Sequence, residues 1–94
     1  MPAEYALHQN FPNPFNPSTT ISYTLPEESF VTLRIYDLLG KEVRTLVDDF
    51  ETAGVKSVRW DGKDDFGREV AAGLYLYRLE AENFAQAKKL AFVK

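Results

Sequence analysis

Apolar side chains in this chain recur at every second position, in short runs, and nowhere hold a 3.6-residue period over a useful length. Such a pattern buries one face of a strand and leaves the other wet, so it demands sheets and excludes helical folds. Thr19 to Leu25 puts Ile21, Tyr23 and Leu25 on one face, and Val31 to Tyr36 does the same with Val31, Leu33 and Ile35. Lys41 to Val47 is a third strand, bulged where Leu46 and Val47 stand side by side. Lys56 to Asp61 pairs Val58 with Trp60 on one face, and Glu69 to Ala71 reads as a short edge strand. Leu74 to Ala81 and Ala87 to Val93 complete the set. The connections are turn chemistry: Pro26 to Ser29, Asp37 to Gly40 with a glycine able to take positive φ, Gly62 to Arg68, and Glu82 to Ala85. Asp48 to Gly54 reads as a polar loop. About seven short antiparallel strands at roughly ten-residue spacing predict an all-β, immunoglobulin-like β-sandwich of two sheets.

At 94 residues the chain is one small domain. It has no cysteine, which removes disulfides, thiolate metal sites and cysteine nucleophiles together. A net charge of −3 speaks against nucleic acid, which requires a basic face. The longest apolar stretch, Val70 to Tyr77, is far too short to span a bilayer. Met1-Pro2-Ala3-Glu4 is no secretory signal, so the chain reads either as cytoplasmic in its own right or as a piece of a longer precursor.

Residues 1–17 hold four of the five prolines. Proline fixes φ and lacks an amide, so PNPFNP is expected to run as a stiff, polyproline-like leader docking on a sandwich of residues 18–94. Phe11 and Phe15 flank the prolines, and both rings are expected to dock on the core. In the Gly73–Tyr77 segment, Tyr75 stands where sandwiches carry a tyrosine corner, its phenol bonding main chain upstream. Tyr77 takes the slot an antibody domain gives its second cysteine, a ring filling the intersheet space with Trp60 as partner.

Catalytic chemistry finds little purchase. His8, the lone histidine, has no acidic partner in register and reads as a solvated linker residue. Ser18, Thr19 and Thr20 lack an activating base. Asp48, Asp49 and Glu51 could be a glycosidase pair, but read more simply as a solvated acidic segment. Asp61, Asp64 and Asp65, with Glu69 nearby, could be oxygen ligands of calcium, yet Lys63 interrupts them and no glutamate stands twelve along from Asp61, and aspartates before glycine also make ordinary turns. No cofactor is implied. Tyr36 is the one strand aromatic looking outward, too little for a sugar-stacking platform. Residues 87–94 carry Lys88, Lys89 and Lys94 with no acid, whereas residues 1–86 carry eight basic against fourteen acidic side chains. Lysines guard exposed edges against pairing, and an exposed basic strand is also an address for a receptor.

LHQNFPNPFNPSTTISYTLPE at 7–27, VTLRIYDLLGKEVRTL at 31–46, AGVKSVRWDGKDDFGREVAAGLYLYRLEA at 53–81 and the closing AKKLAFVK carry a resemblance. Together they resemble the type A C-terminal sorting domain of the type IX secretion system of Bacteroidetes and relatives. Residues 58–81 also resemble the immunoglobulin-like domain of flagellar hook-capping proteins. The first resemblance implies a non-catalytic domain at the C-terminus of a parent protein held in cis. It would direct that parent from the periplasm through the outer-membrane translocon, be removed by a sortase-like peptidase, and leave the parent secreted or at the cell surface. It implies receptor recognition by Gly73, Tyr75, Lys88, Lys89 and Lys94, with a cleavable leader from about Met1 to Leu7. The alternatives are a spacer or carbohydrate-binding module of a secreted enzyme, a hook-capping-like scaffold, and, remotely, a small enzyme.

Overall fold

Each alternating run forms a strand in the computed structural model, which describes residues 3–94. The strands are β1 (Ala6–Leu7), β2 (Thr19–Leu25), β3 (Ser29–Tyr36), β4 (Glu42–Glu51), β5 (Gly54–Trp60), β6 (Gly73–Ala81) and β7 (Phe84–Phe92). They pair antiparallel in two sheets, ordered β1-β2-β5 and β4-β3-β6-β7. This is the expected all-β, immunoglobulin-like sandwich. The inward sets are those the alternation marks: Ile21, Tyr23 and Leu25; Val31, Leu33 and Ile35; Tyr75, Tyr77 and Leu79 are all buried. Each such side chain stabilises the fold by roughly 1.5–3 kcal/mol, and the two faces meet over Trp60, which is fully buried.

The β4 bulge is present. Leu33 pairs Val47 and Arg34 pairs Thr45, which leaves Leu46 as the extra residue. Gly40 closes the Asp37 turn at φ 87°, its amide bonded to the Asp37 carbonyl at 3.0 Å.

Several expectations need correction. β4 continues to Glu51, so Asp48, Asp49 and Glu51 lie on a strand and not in a loop. They are polar because β4 is an edge strand with much of its surface in solvent. Glu69 to Ala71 forms no strand, only a single bridge from Glu69 to Lys63. The hairpin between β6 and β7 is tighter than the expected four-residue connection, because Ala81 pairs Phe84 across Glu82-Asn83. β1 was not expected; two residues are too few to show a period.

The proline segment does not run out as a rod. Phe11 and Thr20 exchange backbone bonds of 2.9 Å in both directions, and Phe15 bridges to the end of β7. Three of its X–Pro bonds, before Pro12, Pro14 and Pro17, are cis. Phe15 is buried to 1% exposure, whereas the Phe11 ring is 79% exposed. Only one of the two rings docks. The molecule measures 37 × 22 × 20 Å. Ala6 pairs Thr24 beside the Leu25–Gly54 end, and Phe92 pairs Gly73 beside the opposite end, where Thr19 meets Trp60.

Candidate functional site

β7 is the edge of the four-stranded sheet, and its sequence, FAQAKKLAF, sets what each face carries. Leu90 and Phe92 point into the core. Lys88 pairs Tyr77 and therefore leans to the inner side, while Lys89 pairs Leu76 and lies on the outer face. The two lysines thus flank the strand, one on either side. A charge leaning inward on an edge strand is a recurrent guard against unwanted pairing.

The backbone edge of β7 is half closed. In an antiparallel hairpin, alternate residues turn their N–H and C=O away from the partner strand. Gln9 Nε2 donates to the Lys89 carbonyl at 2.9 Å, and the Ala91 amide donates to Asn13 Oδ1 at 3.0 Å. The Phe15 amide donates to the Ala91 carbonyl at 2.9 Å, and the Val93 amide donates to the Phe15 carbonyl at 3.0 Å. Two side chains and one residue of main chain therefore stand in for a missing strand from Lys89 to Val93.

This strap is itself anchored through Tyr77. Its fully buried phenol donates to the His8 carbonyl at 2.8 Å and accepts the Asn10 amide at 2.9 Å. Burial pushes the phenol up to about 12, against a smaller opposing effect of the Asn10 bond. Asn10 Nδ2 donates to Thr19 Oγ1 at 3.0 Å, and Thr19 donates to the Pro12 carbonyl at 2.8 Å. The Phe15 ring stacks on Phe92 at 4.8 Å and leans on Trp60 at 5.5 Å. His8 supplies a carbonyl, and the Thr19 hydroxyl is structural.

The sequence-predicted residues do not gather in one place. Tyr75 makes the expected corner, donating to the Ala71 carbonyl at 2.6 Å, and meets Trp60 edge-on at 5.7 Å. Trp60 partners Tyr75 and Phe15, where Tyr77 had been expected. Burial, and then the nearby Asp37 carboxylate, raise the Tyr75 phenol above its ordinary value. Gly73 opens β6 opposite Phe92, and Lys94 pairs with Glu69 at 3.3 Å. Both lie at one end of the sandwich, whereas Lys88 and Lys89 sit midway along the edge. Tyr36 is half-buried beside Leu76 and Glu42.

Every carboxylate considered for calcium is already engaged. Asp61 accepts the Lys63 amide at 3.1 Å and Arg44 Nη1 at 3.2 Å, and Asp65 accepts the Thr45 amide at 3.0 Å. Asp64 accepts the Arg68 and Phe66 amides, each at 2.9 Å; the first of these bonds does most to lower its carboxyl below the usual range. Among the described residues no three His, Cys, Asp or Glu side chains are grouped to hold a metal ion. Glu51 accepts a bond from the buried Tyr23 phenol, so it is committed to bridging the sheets. Two features escaped the sequence reading: Gln9 and Asn13 as edge caps, and the exposed Phe30–Phe50 pair, edge-on at 5.0 Å.

Residues 16–84 match the family described as the FlgD Ig-like domain. None of the curated proteins matches the sequence. The solved structure of FlgD from P. aeruginosa is similar at 26% identity and a TM-score of 0.63, over 79% of this chain and 61% of that one. Dimeric latent PorU from Porphyromonas gingivalis is similar at 24% identity and a TM-score of 0.75, over 93% of this chain. PorZ from Porphyromonas gingivalis, described as an essential bacterial surface component of the type-IX secretion system, is similar at 18% identity and a TM-score of 0.66, over 94% of this chain. This chain spans only 9% of PorU and 11% of PorZ, and the likeness to both is one of fold.

Proposed function

This chain belongs to the FlgD Ig-like domain family, and from that premise we propose that it is a non-catalytic sorting domain of type IX secretion. It directs a parent protein, joined in cis ahead of it, from the periplasm through the outer-membrane translocon, and a sortase-like peptidase then releases it. The parent ends secreted or at the cell surface. The observation that carries this reading is the extent of the fold likeness. It covers 93% of the chain for PorU and 94% for PorZ, more than residues 16–84 can account for. It therefore reaches into the segments that carry the QNFPNPFNP block and the lysine-bearing strand.

On this reading Lys88 and Lys89 meet the receptor, Gly73 and Tyr75 set the course of the neighbouring strand, and Lys94 continues the basic tail. Residues 1–17 are a leader whose described part docks on residues 18–94. A cleavable part shorter than about Met1 to Leu7 is supported by Ala6–Leu7 forming β1, by the burial of Leu7 and by the Tyr5 ring stacking on Phe84 at 5.6 Å. Met1 and Pro2 lie outside the described residues.

Deleting Lys88 to Lys94 is a poor test, since Leu90 and Phe92 are core residues and their loss unfolds the sandwich. The better test fuses residues 1–94 behind a periplasm-targeted fluorescent protein and compares it with the same fusion carrying K88E/K89E. Delivery of the first and retention of a folded second are expected. Delivery of neither, with both folded, overturns the reading.

The exposed Phe30–Phe50 pair favours a second reading, a carbohydrate-binding module. It flanks a cleft of about 380 Å³ lined by Phe30, Thr32, Arg34, Glu80, Ala81 and Glu82. Polysaccharide binding that vanishes on Phe50→Ala, not on Tyr36→Ala, would support it.

A further inference from the structure

Half of the β7 edge is sealed by the strap, and the other half is open. Ala81 pairs Phe84 across the two-residue hairpin, so Phe84, Gln86, Lys88, Leu90 and Phe92 bond β6 while Ala85, Ala87, Lys89 and Ala91 face outward. The capped groups obey that parity: the Lys89 carbonyl, both groups of Ala91 and the Val93 amide. Among the described residues nothing caps the N–H and C=O of Ala85, the N–H and C=O of Ala87, or the N–H of Lys89. The outward-bonding positions over this stretch carry alanine, alanine and lysine, with Gln86 and Lys88 between them, and both alanines are exposed.

The opposite edge of the same sheet, β4, is capped at Val43 and Thr45. The Asp65 amide donates to the Val43 carbonyl at 3.1 Å, and Asp65 Oδ1 accepts the Thr45 amide at 3.0 Å. Leu46 is bulged out of register, and the Phe50 amide is held by its neighbour Asp49 at 2.7 Å. The capped and bulged part of a second copy's β4, Val43 to Leu46, therefore cannot pair with this β7. Two β7 strands would bring four lysines together.

We infer that residues Ala85 to Lys89 are a strand-addition site for an extended acidic segment of a partner protein. This rests on the sorting reading and specifies the partner's chemistry. The open backbone groups set its conformation, because an added strand satisfies each of them in turn. Lys88 and Lys89 set its charge. Neither has an ion-pair partner among the described residues, unlike Lys94, which is held by Glu69. They lie on opposite faces of β7, so two successive carboxylates on an added strand, which also point to opposite faces, can meet one lysine each. The strap fixes the register: no added strand can run past Lys89, where Gln9 already stands.

The probe is the synthetic peptide Thr-Val-Glu-Glu-Val-Thr-Val, with Thr-Val-Lys-Lys-Val-Thr-Val as its control, added to the isotope-labelled 94-residue chain. The acidic peptide is expected to slow amide exchange at Ala85, Ala87 and Lys89 and to leave Ala91 and Val93 unchanged; the lysine peptide is expected to do nothing. Ala87→Pro removes an outward amide without touching the β6 ladder and should abolish the protection. K88E/K89E should weaken it on the order of tenfold. Should the proline variant misfold, the lysine pair carries the test alone. Protection on β5 instead, equal binding of both peptides, or no protection at millimolar peptide overturns the proposal.

Export separates this inference from the reading beneath it. A wild-type fusion that is delivered while Ala87→Pro is delivered equally well defeats the edge and keeps the sorting role. A wild-type fusion that is not delivered defeats the sorting role, and the peptide result then decides the edge.

Discussion

Tyr77→Phe removes one oxygen atom from the centre of the sandwich, and the structure says what that atom holds. The phenol ties β6 to the strap by two bonds, donating to the His8 carbonyl and accepting the Asn10 amide. His8 is exposed, so water can replace the first bond, at a net loss of about 1 kcal/mol. Asn10 is only 3% exposed, so its amide is left buried without an acceptor, at about 1–3 kcal/mol more. The sum is ~2–4 kcal/mol, a large part of the ~5–15 kcal/mol that holds a domain together. For a chain of this size that lowers Tm by roughly 10–25 °C. Thermal and urea unfolding, followed by the fluorescence of buried Trp60, would measure it, with amide exchange at Asn10 as the local readout. A loss under about 0.5 kcal/mol, with the Asn10 amide as protected as before, would refute the role given to this phenol.

Three further outcomes follow from the same structure. Tyr75→Phe deletes a single bond to the Ala71 carbonyl and should cost ~1 kcal/mol in urea unfolding; an unchanged midpoint would remove the tyrosine corner. Gly62 sits at φ 76° with its missing Cβ 3.1 Å from the Phe92 ring, so Gly62→Ala should cost about 1–2 kcal/mol from backbone alone. A midpoint equal to wild type would contradict it. The phenols of Tyr77, Tyr75 and Tyr23 are all raised, so in alkali the unfolded chain ionises first. Stability from these groups is whole below the unfolded value of ~10 and falls as pH rises toward about 12, where native Tyr77 titrates. Urea midpoints that hold steady between those pH values would contradict the burial of the three rings.

Much of the fold was legible because buried strands write themselves at period two. β2, β3 and β6 alternate cleanly, and Leu46 beside Val47 marked a bulge by breaking the same rule. β4 was cut short because Asp48 and Asp49 look like a loop when only composition is read. On an edge strand facing solvent, polar residues cost nothing. Phe11 and Phe15 are chemically alike, and only the tertiary fold sets Phe15 against Phe92 and Trp60 while the Phe11 ring faces solvent. The edge caps were out of reach for a different reason. Gln9 and Asn13 bond residues 80 and 78 positions away, and no local pattern records such a bond. The basic run at Lys88 and Lys89 was visible, but which neighbouring backbone groups are free depends on the hairpin parity and the strap, and both are tertiary facts.

The sorting role is tested most directly by delivery of one reporter in two hosts. A periplasm-targeted fluorescent protein fused to residues 1–94 would be followed in a strain with the type IX translocon and in the same strain without it. Fluorescence at the surface or in the medium of the first strain only is the predicted result. Folded reporter held in the periplasm of both, or released equally by both, would contradict the account.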